Sequence, residues 1–162
     1  MRLIIFLVLS ILVHICPGQN IPSINGKNGF GPFELGNKVS QYKKNLKLDY
    51  SISLGQKYYI YTGKELKTVN DFNIEKINIG FDQDVLFYLD LYFIDAGNYE
   101  LLKSFFESEF GESIPTANSI ERGIVQAVTW QGHQVIAQLV QFNSKADEDD
   151  RNKIVFMIFK KE

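Results

Sequence analysis

Phe72-Asn73-Ile74-Glu75-Lys76-Ile77-Asn78-Ile79-Gly80-Phe81 and, beyond Asp82-Gln83-Asp84, Val85-Leu86-Phe87-Tyr88-Leu89-Asp90-Leu91-Tyr92-Phe93-Ile94 decide the fold. Apolar residues recur at every second position at Ile77, Ile79 and Phe81 and again from Val85 to Phe93, the spacing of a strand with one buried face. If Asp82-Gln83-Asp84 is a three-residue loop, Phe81 faces Val85 and the register of a hairpin follows. One face then gathers Ile77, Ile79 and Phe81 with Val85, Phe87, Leu89 and Leu91, and reads as core. The opposite face gathers Lys76, Asn78 and Gly80 with Leu86, Tyr88, Asp90 and Tyr92, and is half polar. In this register Lys76 lies opposite Asp90, a cross-strand charge pair of roughly 0.2–1 kcal/mol.

A second hairpin lies downstream, with Gln131-Gly132 as a two-residue turn and Trp130 facing His133. Ile124, Val128 and Trp130 share a face with Val135, Ala137 and Leu139. Val125, Ala127 and Thr129 share the other with Gln134, Ile136, Gln138 and Val140. Between the hairpins, Asn98–Phe110 carries Leu101, Leu102, Phe105, Phe106 and Phe110 at helical spacing, with Gly111 as the stop. Upstream, Asn37 caps a short helix on which Val39, Tyr42 and Leu46 recur, and its late lysines suit the helix dipole. Tyr58-Tyr59-Ile60-Tyr61-Thr62 reads as a strand between Gly55 and Gly63. Ser144–Asn152 is a charged loop, and Ile154–Phe159 is a last strand.

The order is thus one helix and three strands, twice over. The expected fold is α+β: two αβββ units, 33–95 and 96–162, forming one antiparallel sheet with both helices packed on one face. The repeated order points to an ancient duplication, although the halves share little sequence. The other face of such a sheet stays partly open to water.

Residues 1–18 read as a secretory signal peptide, with Arg2, the apolar run Leu3–Val13 and a small residue at Gly18. The run is shorter than the roughly 20 residues of a membrane span. Cleavage between Gly18 and Gln19 leaves 144 of the 162 residues, enough for one core without staples. A rival processing would make Cys16 a lipidated N-terminus, but Ile15 before it is bulky; a membrane partner is expected only in that case. Cys16 is the only cysteine, so the mature chain carries no disulfide, and no Asn-x-Ser/Thr site is present. These features fit a bacterial periplasmic or secreted protein. Residues 19–32, rich in Gly, Asn and Pro, read as a flexible arm. The glycines of 26–31 follow no strand and open no helix, which excludes a phosphate loop. The formal charge of -2 becomes -3 without Arg2; no basic stripe suggests nucleic acid.

Chemistry-bearing clusters are few. His133 has no second imidazole or cysteine with which to share a metal, and flanks a turn. No Gly-x-Ser-x-Gly elbow occurs. Glu107 and Glu109 point to different sides of a helix, and Asp82 and Asp84 suit a turn. Asp147–Asp150 lacks the spacing of a calcium loop and reads as a solvated connection. No catalytic residue, metal site or cofactor is expected. The strongest functional surface is the half-polar sheet face: Lys76, Asn78, Tyr88, Asp90, Tyr92, Gln134 and Gln138, joined by Tyr59 or Tyr61. Tyrosine combines large contact area with a hydroxyl, the chemistry of an interface. The expected function is an exported, non-enzymatic binding module for a protein or glycan of the cell envelope. The alternatives are an envelope hydrolase with paired carboxylates and a structural subunit of an envelope assembly.

Phe33-Glu34-Leu35-Gly36, Phe110-Gly111 and Thr129-Trp130-Gln131-Gly132 carry a resemblance. In these motifs the chain resembles exported tandem αβββ proteins of Gram-negative bacteria, of the β-lactamase-inhibitor-protein-like and BamE-like types. The resemblance implies non-enzymatic docking of a partner on the sheet or its loops. The chain departs from the lipoprotein members in lacking a lipobox.

Overall fold

A computed structural model of the chain describes residues 24–52, 55–94, 96–116 and 122–161. The segment read as a signal peptide, residues 1–18, and the start of the segment read as an arm lie outside the described residues. Strands account for 50% and helices for 19% of what is described, and there is one α-helix. That overturns the expected pair of αβββ units with two helices on one face. Among the described residues the architecture is a broad antiparallel sheet with one α-helix.

The small strands β1 (Gly29–Phe30) and β2 (Phe33–Glu34) pair only with each other. The main sheet contains β3 (Leu46–Ser51), β4 (Gln56–Tyr61), β6 (Phe72–Asp82) and β7 (Val85–Phe93), with the short β5 (Thr68–Val69) on β6. After the helix α1 (Tyr99–Phe110) come β8 (Ile114–Thr116), β9 (Ile124–Gln131), β10 (Val135–Phe142) and β11 (Ile154–Lys160). The order across the sheet is β3-β4-β6-β7-β11-β10-β9-β8. The last strand of each half is therefore its inner strand, and β7 pairs with β11 antiparallel at the centre.

The helix expected after Asn37 is replaced by two 3-10 turns, Val39–Gln41 and Lys43–Asn45, and Leu46 opens a strand. Its backbone groups have better partners than a short helix could supply. Gly36 N–H donates to Leu86 O, Leu86 N–H to Asn37 O, and Val39 N–H to Asp84 O, all within 2.8–2.9 Å. The segment thus zips onto the tip of the β6–β7 hairpin. Val, Ser, Asn and Tyr are weak helix formers, and short helices are marginal in isolation. The i, i+3, i+7 spacing survives as packing: Val39, Tyr42 and Leu46 all rest against the core.

One face of the sheet is the core. Ile79, Leu89, Leu91, Phe156, Ile158 and Leu139 are fully buried there. Over the second half lies α1, whose Phe106 stacks on Phe156 with ring centroids 4.0 Å apart, and Trp130 Nε1 donates to Gly111 O at 2.8 Å. The N-terminal stretch crosses the same face, with Ile24 and Phe30 against the second half and Phe33 against Tyr61 of the first. Buried Ile24, Phe33 and Leu35 sit in the same core, and Phe30 meets the rings of Phe106 and Phe156 at 5.6 Å. From Ile24 onward the stretch read as an arm is a packed cover.

Register differs from expectation in both hairpins. Gln83 and Asp84, with φ of 47° and 65°, form a two-residue turn that pairs Asp82 with Val85. A register shift between Gly80 and Phe81 then pairs Phe81 with Leu86 and Gly80 with Tyr88, leaving Phe87 as the extra residue. Such a bulge exchanges faces locally: Leu86 is fully buried, while Phe87 meets Tyr58 on the outer face. Below the bulge Asn78, not Lys76, is opposite Asp90, and Lys76 is opposite Tyr92. In the second hairpin Trp130 pairs with Ala137 rather than His133. That slip is an even number of residues, so side chains keep their faces up to the irregularity at Val125, where Gln141 pairs with Gln126 and Phe142 with Ile124.

Phe156 joins the two halves to the helix. Replacing it by Ala should lower stability by about 3–5 kcal/mol, read as a shifted urea midpoint. Phe87→Ala, on the half-exposed outer face, should cost much less.

Candidate functional site

The outer face has no helix over it among the described residues. Its centre is β7, whose alternation puts Tyr88, Asp90 and Tyr92 on this side, flanked by Asn78 of β6 and Met157 of β11. The Ser144–Asn152 loop, read as a solvated connection, leans over this surface. Ala146 is buried, and its backbone nitrogen lies 2.4 Å from where a Cβ on Gly123 would stand. Gly123 also has φ of 73°, so this contact needs glycine on two counts. Lys76 Nζ ties the loop down through Asp149 at 3.1 Å, and Lys153 holds Glu75 at 2.9 Å.

Sheet and loop together enclose an open cleft of ≈ 690 Å³. Asn78, Tyr88, Asp90 and Tyr92 line it, as do Tyr50, Tyr58, Asp49 and the acids of Asp147–Asp150. Tyr50 and Tyr58 stack at 4.6 Å, and Tyr58 meets Tyr88 edge-on at 6.0 Å. Gly80 lets these rings close: a Cβ there would be 3.0 Å from both Tyr58 and Phe87. Lys76 Nζ sits 5.0 Å and Lys153 Nζ 5.8 Å from the centre of the Tyr92 ring, within the range of cation–π attraction.

Asp90 is the unusual group. It is 4% exposed in the middle of a sheet. Tyr88 Oη donates to its Oδ2 at 2.5 Å, yet among the described residues its Oδ1 and Asn78 Oδ1 have no hydrogen-bond partner. Burial pushes the Asp90 carboxyl up to about 7, against the opposing pull of Tyr88, Lys76 and Tyr92. Burial, and then the Asp90 charge, drive Tyr88 and Tyr92 above the ordinary tyrosine range, so both stay donors at neutral pH. Asp150 is also raised, first by burial and then by Asp149 and Asp147.

The other expected residues lie apart from this cleft. Lys76 is on its rim. Gln138 is on the same face but two strands away from β7, bonded to Thr129 Oγ1 at 3.2 Å. Gln134 is exposed in the turn before β10, where its carbonyl accepts from Lys161 N–H. Tyr61 belongs to the core and Tyr59 packs against it; the tyrosine contributed by β4 is Tyr58. Sequence reading missed Tyr50 because its strand was not foreseen. The acids of the loop were visible as a charge run, but nothing in the sequence folds that run onto β7. His133 is exposed in a turn, and its backbone N–H donates to Asn25 Oδ1. Glu109 pairs with Lys27 at 2.9 Å and Glu107 accepts from Ser113 at 2.6 Å, both away from the cleft.

No family model, curated protein or solved structure matches the chain. The resemblance to exported αβββ proteins therefore rests on its motifs alone.

The site predicts an inverted pH dependence. The folded pKa of Asp90 exceeds its unfolded value near 4, so its contribution is full below about pH 4 and is lost as pH rises through about 7. Asp90→Asn supplies a neutral side chain that still accepts from Tyr88 and can donate to Asn78. It should raise stability at pH 8 by on the order of 2–4 kcal/mol, with the gain vanishing near pH 4. Urea unfolding of both proteins across pH 4–8 tests this; a gain that does not change with pH would contradict a raised Asp90.

Proposed function

We propose that the chain is an exported binding module that engages a protein partner of the cell envelope through the outer face of its sheet. The observation that supports this is the tyrosine-lined acidic cleft over an unsatisfied buried carboxylate. Stable folds rarely leave a charge-bearing group buried without its full set of partners. Sites that bind often do, because the ligand completes the set. Stacked, half-exposed tyrosines give such a surface stiff contact area at little entropic cost.

The acids set the sign of the partner. Asp49, Asp90 and Asp147–Asp150 converge on one opening, while Lys76 is already engaged by Asp149. A partner presenting basic groups gains from this field and reaches the cleft faster at low salt.

Quantitative comparison of what the tagged chain and its Tyr50→Ala and Tyr58→Ala variants retain from an envelope extract tests the reading. A protein held by the parent chain, released by salt and lost in both variants, is the expected result. The substitution Glu112→Ala, at the end of α1, should leave it bound. An identical retained set for all four proteins would overturn the proposal.

A second reading has one specific observation in its favour. A carboxyl held near pH 7 beside other carboxylates is the arrangement of a hydrolase acting on sugars. Turnover on a polysaccharide panel, abolished by Asp90→Asn, would establish that reading in place of the first.

A further inference from the structure

Both buried polar atoms without a partner among the described residues are acceptors, and they belong to residues directly paired across β6 and β7: Asn78 Oδ1 and Asp90 Oδ1. A group that satisfies both must be a donor. It must also tolerate, and preferably require, a carboxylate and a rim of further acids. A cation with several N–H groups meets every condition.

Two further observations narrow the cation. Asp90 Oδ2 already accepts from the Tyr88 hydroxyl at 2.5 Å, so Oδ1 is the oxygen without a donor among the described residues. A guanidinium prefers both oxygens, because its strength lies in a two-pronged fork. An ammonium is a compact point charge with three donors and needs one. Moreover, this face already seats two ammonium groups at one tyrosine, with Lys76 5.0 Å and Lys153 5.8 Å from the Tyr92 ring centre. Metal is the weaker fit, since among the described residues no three His, Cys, Asp or Glu converge as a ligand set.

We propose that this cleft is a receptor for an alkylammonium group, whose N–H donors satisfy Asp90 and Asn78 while its methylene stem lies along the Tyr50, Tyr58 and Tyr88 rings. The inference rests on the binding-module reading and names the chemistry its site takes. That chemistry has two sources, the side chain of a partner's lysine or a free diamine.

Proton linkage follows. Asp90 faces Tyr88 and Tyr92 on its own strand and Lys76 on β6, while β4 and β3 bring Tyr58, Tyr50 and Asp49 to the same cleft. From the loop it faces Asp149 and Asp150; the neighbour from β11 is the uncharged Met157. Burial holds the Asp90 carboxyl up to about 7. The ammonium favours ionised Asp90, so binding expels its proton. Affinity should rise about tenfold per pH unit up to about 7 and level off above it.

Titration calorimetry on the full chain with 1,5-diaminopentane decides the matter. The expected result is saturable binding at pH 8 and about tenfold weaker binding at pH 6, where Asp90 starts protonated, its proton is released on binding, and the observed heat therefore changes with the buffer's ionisation heat. Asp90→Asn, which should stay folded, must lose at least tenfold, and Tyr50→Ala should lose several-fold. The neutral 1,5-pentanediol must not bind. N-acetyl-lysine-methylamide separates the sources: binding comparable to the diamine assigns the site to a lysine side chain, and diamine binding alone assigns it to a free diamine. Equal binding of the diol, unchanged binding by Asp90→Asn, or no heat at millimolar diamine would overturn the proposal. If diamine fails while Tyr50→Ala still loses the retained protein, the module reading stands and only the ligand class falls. If both fail, the reading falls with it.

Discussion

β7 is paired on both sides, by β6 and by β11, and its alternating residues have no freedom to choose a face. Leu89 and Leu91 must enter the core, and Asp90 between them must therefore stand on the opposite side. The two halves of the sheet meet at this strand, so Asp90 lies at the centre of the molecule's outer surface. The chain cannot move its carboxylate to water without breaking the pairing that holds the halves together.

The rest of the outer face is arranged around that constraint. Tyr88 satisfies one oxygen of Asp90, and Gly80 opposite Tyr88 leaves room for the rings of Tyr58 and Phe87 to close beside it. The loop between β10 and β11 then adds acids above, held by Lys76 and by the contact of Ala146 with Gly123. Raising the local negative charge over a buried carboxylate lowers stability, which is the opposite of what folding alone would favour. Groups that conflict with stability in this way concentrate where a protein binds or reacts.

How much of this was legible in the sequence depends on parity. Period-two alternation assigned Ile77, Ile79, Leu89 and Leu91 to one face and Asn78, Tyr88, Asp90 and Tyr92 to the other, and these assignments stand. They stand because slips by an even number of residues leave faces unchanged. Leu86 and Phe87 were exchanged because a bulge inserts one residue, and no local pattern marks it. The helix expected at Val39–Leu46 failed for a different reason. Spacing at i, i+3 and i+7 reports which residues are buried, not which backbone buries them, and here the hairpin tip offered hydrogen bonds that a helix did not. The cleft's walls, Tyr50 and Asp147–Asp150, come from distant parts of the chain. Only the tertiary arrangement brings them onto β7.

The proposed binding role turns on the state of a carboxylate trapped in mid-sheet. Its most direct measurement is a carbon-13 NMR titration of the Asp90 side-chain carboxyl in the free chain. A midpoint near 7 is what the burial of Asp90 predicts. A midpoint at the ordinary aspartate value near 4 would show that water or another group already satisfies this carboxylate, and would contradict the account.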